Sequence, residues 1–135
     1  MAELFSFEIY TPYRKFFSGR VEAVVLSLED GEAAVYAHHS FFTSPVVPGV
    51  IKIKDKDGVW KTAFTTEGFI EVKEFNTVLV SEAAEWPGEI DRERALNAKK
   101  RAEEALKEGG IKFEMEAAAV ALKRAEGRLK AAEQK

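Results

Sequence analysis

The chain has 135 residues, with 20 Lys and Arg against 23 Asp and Glu, so its formal net charge is −3. That length suits one domain or one domain with an appendage, and the acidic balance gives no electrostatic footprint for nucleic acid or an anionic membrane surface. The absence of Cys excludes disulfides and thiol chemistry, and no stretch is long and apolar enough for a signal peptide or a bilayer span.

The distribution of charge and aromatic residues divides the chain near Trp86. Residues 1–86 carry 8 Lys and Arg against 13 Asp and Glu, whereas residues 87–135 carry 12 against 10. Of all Phe, Tyr and Trp residues, only Phe113 lies beyond Trp86. We therefore predict two domains, with the large hydrophobic side chains in residues 1–86 and an alanine-rich part in residues 87–135.

Alternation of apolar and polar residues predicts short β-strands in the first part. Phe5, Phe7 and Ile9 alternate with polar residues, and Gly31 and Gly58 each follow an Asp in a tight-turn sequence. The predicted strands span residues 4–10, 21–28, 33–36, 41–46, 49–53, 59–64, 69–73 and 77–81. Because no crossover helix fits between them, we predict an antiparallel β-sandwich or barrel.

The junction between the two parts lies at Pro87 and Gly88, because proline fits neither a ladder nor a helix interior. Asp91 follows as an N-cap, whose carboxylate accepts the free N–H groups of the first turn and contributes about 1 kcal/mol. The helix that begins there is expected to end at Gly109 and Gly110, which tolerate positive φ.

Apolar residues at helical spacing, most of them alanines, predict an antiparallel two-helix hairpin. In the first helix they are Ala95, Ala98, Ala102, Ala105 and Leu106, and in the second, which begins near Phe113, they are Met115, Ala118, Ala119, Leu122, Ala125, Leu129 and Ala132. Alanine buries little surface at about 25 cal/mol per Å², and Gly127 costs its helix about 1 kcal/mol more. The hairpin is therefore held weakly, and the pattern fits a detachable hairpin and a permanently docked one equally well.

The residues offer little for catalysis. His38 and His39 are adjacent, so on a strand they point to opposite faces and do not ligate one metal together. No glycine-rich phosphate loop and no Ser/His/Asp arrangement is recognisable. We therefore predict that the protein is not an enzyme, holds no metal and requires no cofactor.

Four arginines of the predicted hairpin form two pairs, one on each helix. Arg94 and Arg101 are seven residues apart and share a helix face, and Arg124 and Arg128 are four apart and are neighbours. Converging guanidiniums suit a polyphosphate, because they match phosphate oxygens bidentately. On spacing alone, the alternative is that they are solvated or paired with the hairpin glutamates Glu93, Glu104 and Glu126.

The order of segments closely resembles the epsilon subunit of F-type ATP synthases over nearly the whole chain. The resemblance rests on Gly31-Glu32, on Ile90-Asp91-x-x-Arg94-Ala95, which is similar to the family's nucleotide-binding motif, and on residues 7–12, 16–21, 48–53 and 67–72. It implies an α+β fold: an N-terminal β-sandwich of about ten strands, followed by the helical hairpin.

The function implied by the resemblance is structural and regulatory. The family's sandwich binds the gamma subunit and the membrane c-ring in the central rotor stalk of a proton-translocating synthase. Its hairpin lies folded on the sandwich or extends into the catalytic beta subunits, where it inhibits ATP hydrolysis, and in some bacterial members ATP holds the folded form. This places the chain at the cytoplasmic face of the bacterial cell membrane, as a peripheral protein that meets the membrane only through the complex.

The resemblance also assigns site residues. The nucleotide site is Glu85, Ile90, Asp91, Arg94, Ala95, Arg101, Arg124 and Arg128, with the four arginines on the phosphates and the other residues around adenine and ribose. Glu32 and His39 correspond to partner contacts with the c-ring. The chain departs from the family around them, with Ala37-His38-His39 where Pro-Gly-His is common, Ser40-Phe41 where Ala-Pro is common, and Ala34 where glycine is frequent.

Two other functions use the same features. A free-standing ATP-sensing module would use these arginines without affinity for a gamma subunit. A β-sandwich adaptor with a helical partner-binding arm would ignore ATP. Capture by gamma distinguishes the rotor subunit from the module, and ATP binding distinguishes it from the adaptor.

Overall fold

The computed structural model describes residues 3–134. Nine strands precede a single 3-10 turn and two helices in this part of the chain. The elements are β1 Phe5–Tyr10, β2 Lys15–Leu28, β3 Gly31–Val35, β4 Phe42–Val46, β5 Gly49–Asp55, β6 Trp60–Thr65, β7 Gly68–Val72, β8 Asn76–Ser81, β9 Ala84–Glu85, the 3-10 turn Pro87–Glu89, α1 Arg92–Glu108 and α2 Lys112–Ala132.

The strands form one sheet in the order β4-β7-β8-β1-β2-β5-β6-β9, with β3 also paired to β2. The long strand β2 pairs with β1 through its first half and with β3 and β5 through its second half, so the sheet folds over a single core. Phe5, Phe7 and Ile9 alternate inward on β1 and are almost completely buried there. This confirms the predicted fold class of a β-sandwich followed by a helical hairpin.

The sheet differs from the prediction in the bounds of one strand, in one pairing and in the number of strands. The strand predicted over residues 21–28 begins at Lys15, because residues 15–21 pair with β1 although Ser18 and Gly19 have weak strand propensity. One pair, β1 with β8, is parallel within an otherwise antiparallel sheet, with Phe7 opposite Thr77. Nine strands are present within residues 3–134, against about ten implied by the resemblance.

The two helices pack as an antiparallel hairpin, with α2 between α1 and strands β5 and β6. The Asp91 N-cap is confirmed, since the Arg94 backbone N–H donates to Asp91 Oδ1 at 3.0 Å. Ala102 of α1 and Ala125 of α2 are buried as predicted, whereas Ala105 and Ala119, which lie nearer the connection between the helices, are exposed. The structure therefore holds the hairpin folded. None of its described helices has the length and apolar character of a membrane span.

The loop after β3 carries a histidine in the left-handed region. His38 has φ +63°, a conformation that residues other than glycine seldom adopt. Its ring lies against the carboxylates of Glu3 and Glu74, which raise the pKa of His38, and its backbone N–H donates to the Glu74 carbonyl at 2.9 Å. His39 instead packs on Phe42, with ring centroids 5.1 Å apart, so the two histidines contact different neighbours.

Candidate functional site

A cavity of about 460 Å³ lies where the end of the sandwich meets both helices. Its volume falls within the range of small-molecule sites. The residues that line it are Glu85, Glu89, Asp91, Arg94, Ala95, Ala98, Arg101 and Arg128. Of the predicted nucleotide site, the cavity brings together Glu85, Asp91, Arg94, Ala95, Arg101 and Arg128, whereas Ile90 and Arg124 do not line it.

Local structure explains how α1 presents two arginines. Asp91 fixes the start of the helix, and from there Arg94 and Arg101 fall on one face, two turns apart. Ala95 and Ala98 are small, which leaves room between the helices. Both arginines are exposed, and neither forms an ion pair with any residue from 3 to 134. They are therefore available to an anionic ligand.

Arg128 enters the same cavity from α2 but already has a partner. Its Nε donates to Glu85 Oε1 at 3.0 Å, and its Nη2 donates to Glu85 Oε2 at 3.2 Å. Its guanidinium also stacks on the buried Phe64 ring, 4.7 Å from the centroid. The pair joins β9 to α2, so it closes the cavity and helps to dock the second helix.

Arg124 lies one turn earlier on α2 and points to a different part of the sandwich. It donates twice to Glu67, at 2.9 and 2.7 Å, and once to Glu82 at 3.1 Å. The hydrogen bonds with Glu67 raise the pKa of Arg124 and lower the pKa of Glu67. In this conformation Arg124 fastens the helix to the sheet. Its assignment to phosphate stays a prediction, which requires it to leave these carboxylates.

Acidification is expected to loosen the contact between Arg124 and Glu67. The pKa of Glu67 is below its ordinary value of 4.5 when the helix is docked, so the detached state binds the proton more readily. The contribution of the pair is therefore present above a pH of about 4.5 and is lost as the pH falls through the lowered pKa. Because the Glu67 side chain is 41% exposed, water screens the pair. We expect it to contribute less than about 1 kcal/mol.

Amide hydrogen exchange of α2, compared between about pH 6 and pH 3.5, measures this effect. The wild type should lose protection on acidification, and Glu67→Gln should lose less. Glu71→Gln is the matched control, since Glu71 lies on the same strand-turn-strand unit but contacts Lys73 rather than the helix. Equal acid sensitivity in wild type and Glu67→Gln would rule out this ion pair as the cause.

The two predicted partner contacts lie apart from the cavity. Glu32 is exposed near the start of β3 and lines a second cavity of about 390 Å³ with Lys123 and Lys130 of α2. His39 lies four residues beyond the end of β3, where its Nδ1 is 3.0 Å from the Ser40 carbonyl oxygen. Their contact with a c-ring stays a prediction. No cluster of metal-ligating residues occurs within the described range, 3–134.

Sequence reasoning did not identify three residues that shape the site. Glu89 lines the cavity and Ala98 widens it, while Glu67 binds the arginine that the sequence assigned to phosphate. Ala98 was already visible as part of the small-residue stripe, whereas Glu67 is 57 residues from its partner and carries no local pattern. Such pairings follow from tertiary structure alone.

The fold defines a class of two-part proteins, a β-sandwich followed by a helical hairpin, and two family models match the two parts of the chain. The model described as "ATP synthase, Delta/Epsilon chain, beta-sandwich domain" matches residues 4–87. The model described as "ATP synthase, Delta/Epsilon chain, long alpha-helix domain" matches residues 89–133. Together they cover nearly the whole chain.

Curated relatives narrow this class. The ATP synthase epsilon chain of Caldanaerobacter subterraneus is 46% identical over 98% of this chain and 96% of its own length. That of Caldicellulosiruptor bescii is 45% identical over 99% of this chain and 96% of its own length. This chain belongs to the ATP synthase epsilon chain family.

Solved structures share the fold at low sequence identity. A chain of the Euglena gracilis mitochondrial ATP synthase, in a structure of OSCP/F1/c-ring, matches with a TM-score of 0.82 and 20% identity, covering 96% of this chain and 81% of that one. A chain of the Tetrahymena thermophila mitochondrial ATP synthase central stalk/c-ring matches with a TM-score of 0.64 and 15% identity, covering 97% and 98%. At these identities the likeness concerns the fold alone.

Proposed function

We propose that this chain is a non-catalytic subunit of the central stalk of a bacterial proton-translocating F-type ATP synthase, which couples the gamma subunit to the c-ring. Membership of the epsilon family over the full chain is the observation that carries this proposal. The protein would act at the cytoplasmic face of the cell membrane, as a peripheral component held by the complex. It contributes binding surfaces and a conformational switch, and chemistry belongs to other subunits.

An exposed apolar row on the outer face of the sheet supports the docking of gamma. Four side chains stand in register across neighbouring strands: Tyr10 on β1, Val80 on β8, Phe69 on β7 and Pro45 on β4. Phe69 is 61% exposed and Val80 is 52% exposed. Large apolar side chains adjacent on a sheet face are a feature of protein interfaces.

A charge placed in this row is expected to weaken capture by the gamma subunit strongly. Phe69→Arg should weaken the complex by about 30-fold or more, because an unpaired guanidinium would be buried at the interface. Phe113→Arg is the matched control, since Phe113 is also an exposed phenylalanine, at 76%, but lies at the start of α2. Pull-down with purified gamma compares the two variants. Unchanged capture by Phe69→Arg would place the gamma contact elsewhere.

The hairpin is the proposed regulatory element. In the folded state α2 is fastened to the sheet by few contacts: buried alanines, Gly127 on Phe64, and the ion pairs of Arg124 and Arg128. A docking surface this small lets a modest differential affinity shift the equilibrium. Extended along gamma, the hairpin would reach the catalytic beta subunits and inhibit ATP hydrolysis.

ATP is the proposed ligand of the folded state. Arg94 and Arg101 offer phosphate oxygens two guanidiniums that form no ion pair within residues 3–134, and Arg128, although it is paired with Glu85, offers its remaining N–H groups from the second helix. Because these groups come from both helices, a polyphosphate would bridge α1 and α2 and would favour the closed hairpin. ATP is thus a regulatory ligand rather than a required cofactor.

Calorimetry on the isolated protein tests this site. We expect ATP binding that the double variant Arg94→Gln/Arg101→Gln weakens by at least about tenfold per arginine, since charge-assisted hydrogen bonds contribute 1.5–3 kcal/mol each. Arg92→Gln is the control, because Arg92 is on the same helix but does not line the cavity. Loss of binding in Arg124→Gln, with amide exchange of α2 unchanged, would show that Arg124 leaves Glu67 for the phosphates.

The outcomes also separate the other two functions. ATP binding without capture by gamma would indicate a free-standing ATP-sensing module. Capture by gamma with no binding at millimolar ATP would keep the stalk role and remove the nucleotide switch. Failure of both, with capture of some other protein, would indicate a β-sandwich adaptor with a helical arm.

A further inference from the structure

Arg14 lies in the turn between β1 and β2. It does not line the junction cavity between the sandwich and the helices, but it binds Glu89, which does. Its Nη1 donates to Glu89 Oε2 at 3.1 Å, and its Nη2 donates to Glu89 Oε1 at 2.8 Å. The same Nη2 donates to the carbonyl of Ala84 at 3.1 Å. A residue 75 positions earlier in the chain thus holds the 3-10 turn through its carboxylate.

Stacked side chains fix the position of this guanidinium. Arg14 lies 5.0 Å from the centroid of the Phe16 ring, and Phe16 in turn stacks on Trp86 at 4.4 Å. The backbone N–H of Trp86 donates to the same Glu89 Oε1 at 2.9 Å. Glu89 is therefore bonded from both sides, which holds its carboxylate in one orientation.

The pairing of Arg14 with Glu89 affects the net charge of the cavity wall. Three carboxylates line the cavity, and each would repel phosphate if left uncompensated. Glu85 is paired with Arg128, and Asp91 accepts the backbone N–H of Arg94 at the start of α1. Glu89 is compensated by Arg14, and this pairing lowers the pKa of Glu89 and raises that of Arg14. Glu85 and Glu89 then each have a guanidinium partner, while Asp91 lies at the positively polarised start of α1, so Arg94 and Arg101 face a wall with most of its negative charge matched.

We propose that Arg14 is a positioning residue for anion binding in the junction cavity: it holds the Glu89 carboxylate on the 3-10 turn and cancels its charge, so that Arg94 and Arg101 bind polyphosphate. This inference rests on the proposed nucleotide function and extends it to a residue of the sandwich. It also means that the ligand site is completed by the first domain as well as by the hairpin.

The expected effect depends on ligand charge, which a merely structural role would not produce. Without Arg14, the Glu89 carboxylate opposes the phosphates at short range, partly screened because Arg14 and Glu89 are 45% and 40% exposed. We expect Arg14→Gln to weaken ATP by about tenfold at low salt, and inorganic triphosphate similarly, while adenosine is unaffected. The difference from wild type should shrink as KCl rises toward about 0.5 M.

Comparison of the single and double variants tests whether Arg14 cancels the charge of Glu89 or only supports the 3-10 turn. Calorimetry with ATP is carried out on wild type, Arg14→Gln, Glu89→Gln and the double variant, after thermal melts establish folding. Glu89→Gln should bind ATP as tightly as wild type or more tightly, and the double variant should stay within about threefold of it. If Arg14 and Glu89 only support the turn, both single variants will weaken ATP alike and adenosine with it, which overturns the proposal.

Two further outcomes distinguish failure of the role of Arg14 from failure of the nucleotide site. Wild-type binding that Arg14→Gln leaves unchanged overturns the role of Arg14 and leaves the nucleotide site standing. No ATP binding by the wild type overturns both. If Arg14→Gln fails to fold, Glu89→Gln alone decides, because a loss of affinity of more than about threefold in that variant contradicts charge cancellation.

Discussion

Replacing Gly68 with alanine is expected to destabilise the sandwich by about 3 kcal/mol or more. A Cβ at this position would lie 1.9 Å from the Val80 carbonyl oxygen and 2.9 Å from the Ser81 Cα. Both are backbone atoms of β8, which cannot retreat because β1 pairs with its other edge. The substitution therefore has to break the pairing of Gly68 with Ser81 or displace the strand.

Urea unfolding of Gly68→Ala, followed by circular dichroism, measures the change. Gly19→Ala is the matched control: it is also a strand glycine, but its Cβ would meet nothing closer than the Phe17 ring at 3.4 Å. We expect the control to change the free energy of unfolding by less than about 1 kcal/mol. Equal stabilities for the two variants would contradict the close approach of β7 and β8.

Local periodicity predicted much of the sandwich because one face of each strand is buried. Phe5, Phe7 and Ile9 show the period directly, and Asp91 marks the helix start through cap chemistry that acts within three residues. The first half of β2 was missed because Gly19 reads as a turn residue, although it pairs with Phe7. The parallel pairing of β1 with β8 joins segments about 70 residues apart, and no local pattern encodes it.

The site was predictable to the extent that helix geometry fixes it. A spacing of seven places Arg94 and Arg101 on one face, and the structure puts both on one cavity. A spacing of four makes Arg124 and Arg128 neighbours, yet they contact different carboxylates, Glu67 and Glu85. Their carboxylate partners belong to the sandwich, so which carboxylate each arginine contacts depends on how α2 docks.

Gly127 is another residue whose role depends on how α2 docks and so was predicted only in part. From sequence it is a weak point in a helix, costing about 1 kcal/mol relative to alanine. In the structure α2 packs closely on the sheet at this residue, and an added Cβ would lie 2.8 Å from Phe64 Cε1 and 3.1 Å from the Gly49 Cα. Phe64 is fully buried and cannot move aside. The glycine therefore weakens the helix and permits its docking.

Gly127→Ala is expected to detach the hairpin while leaving the sandwich intact. The clash costs about 1–3 kcal/mol, and the gain of about 1 kcal/mol in helix propensity applies equally to the detached helix, so it does not restore docking. Amide exchange in α2 should rise by about tenfold or more, with β1 and β2 unchanged. Glu126→Ala is the control, since it raises helix propensity at an exposed neighbouring position.

The effect of Gly127→Ala can also be measured as ATP hydrolysis by the assembled synthase. If the extended hairpin inhibits hydrolysis, Gly127→Ala should lower ATP hydrolysis and make it less responsive to ATP, because the variant penalises the folded state, which ATP is proposed to stabilise. A further variant that truncates the chain after Glu108 should remove that inhibition, since α2 is then absent. Hydrolysis that rises in Gly127→Ala, with α2 shown to be detached, would mean that the free hairpin does not inhibit.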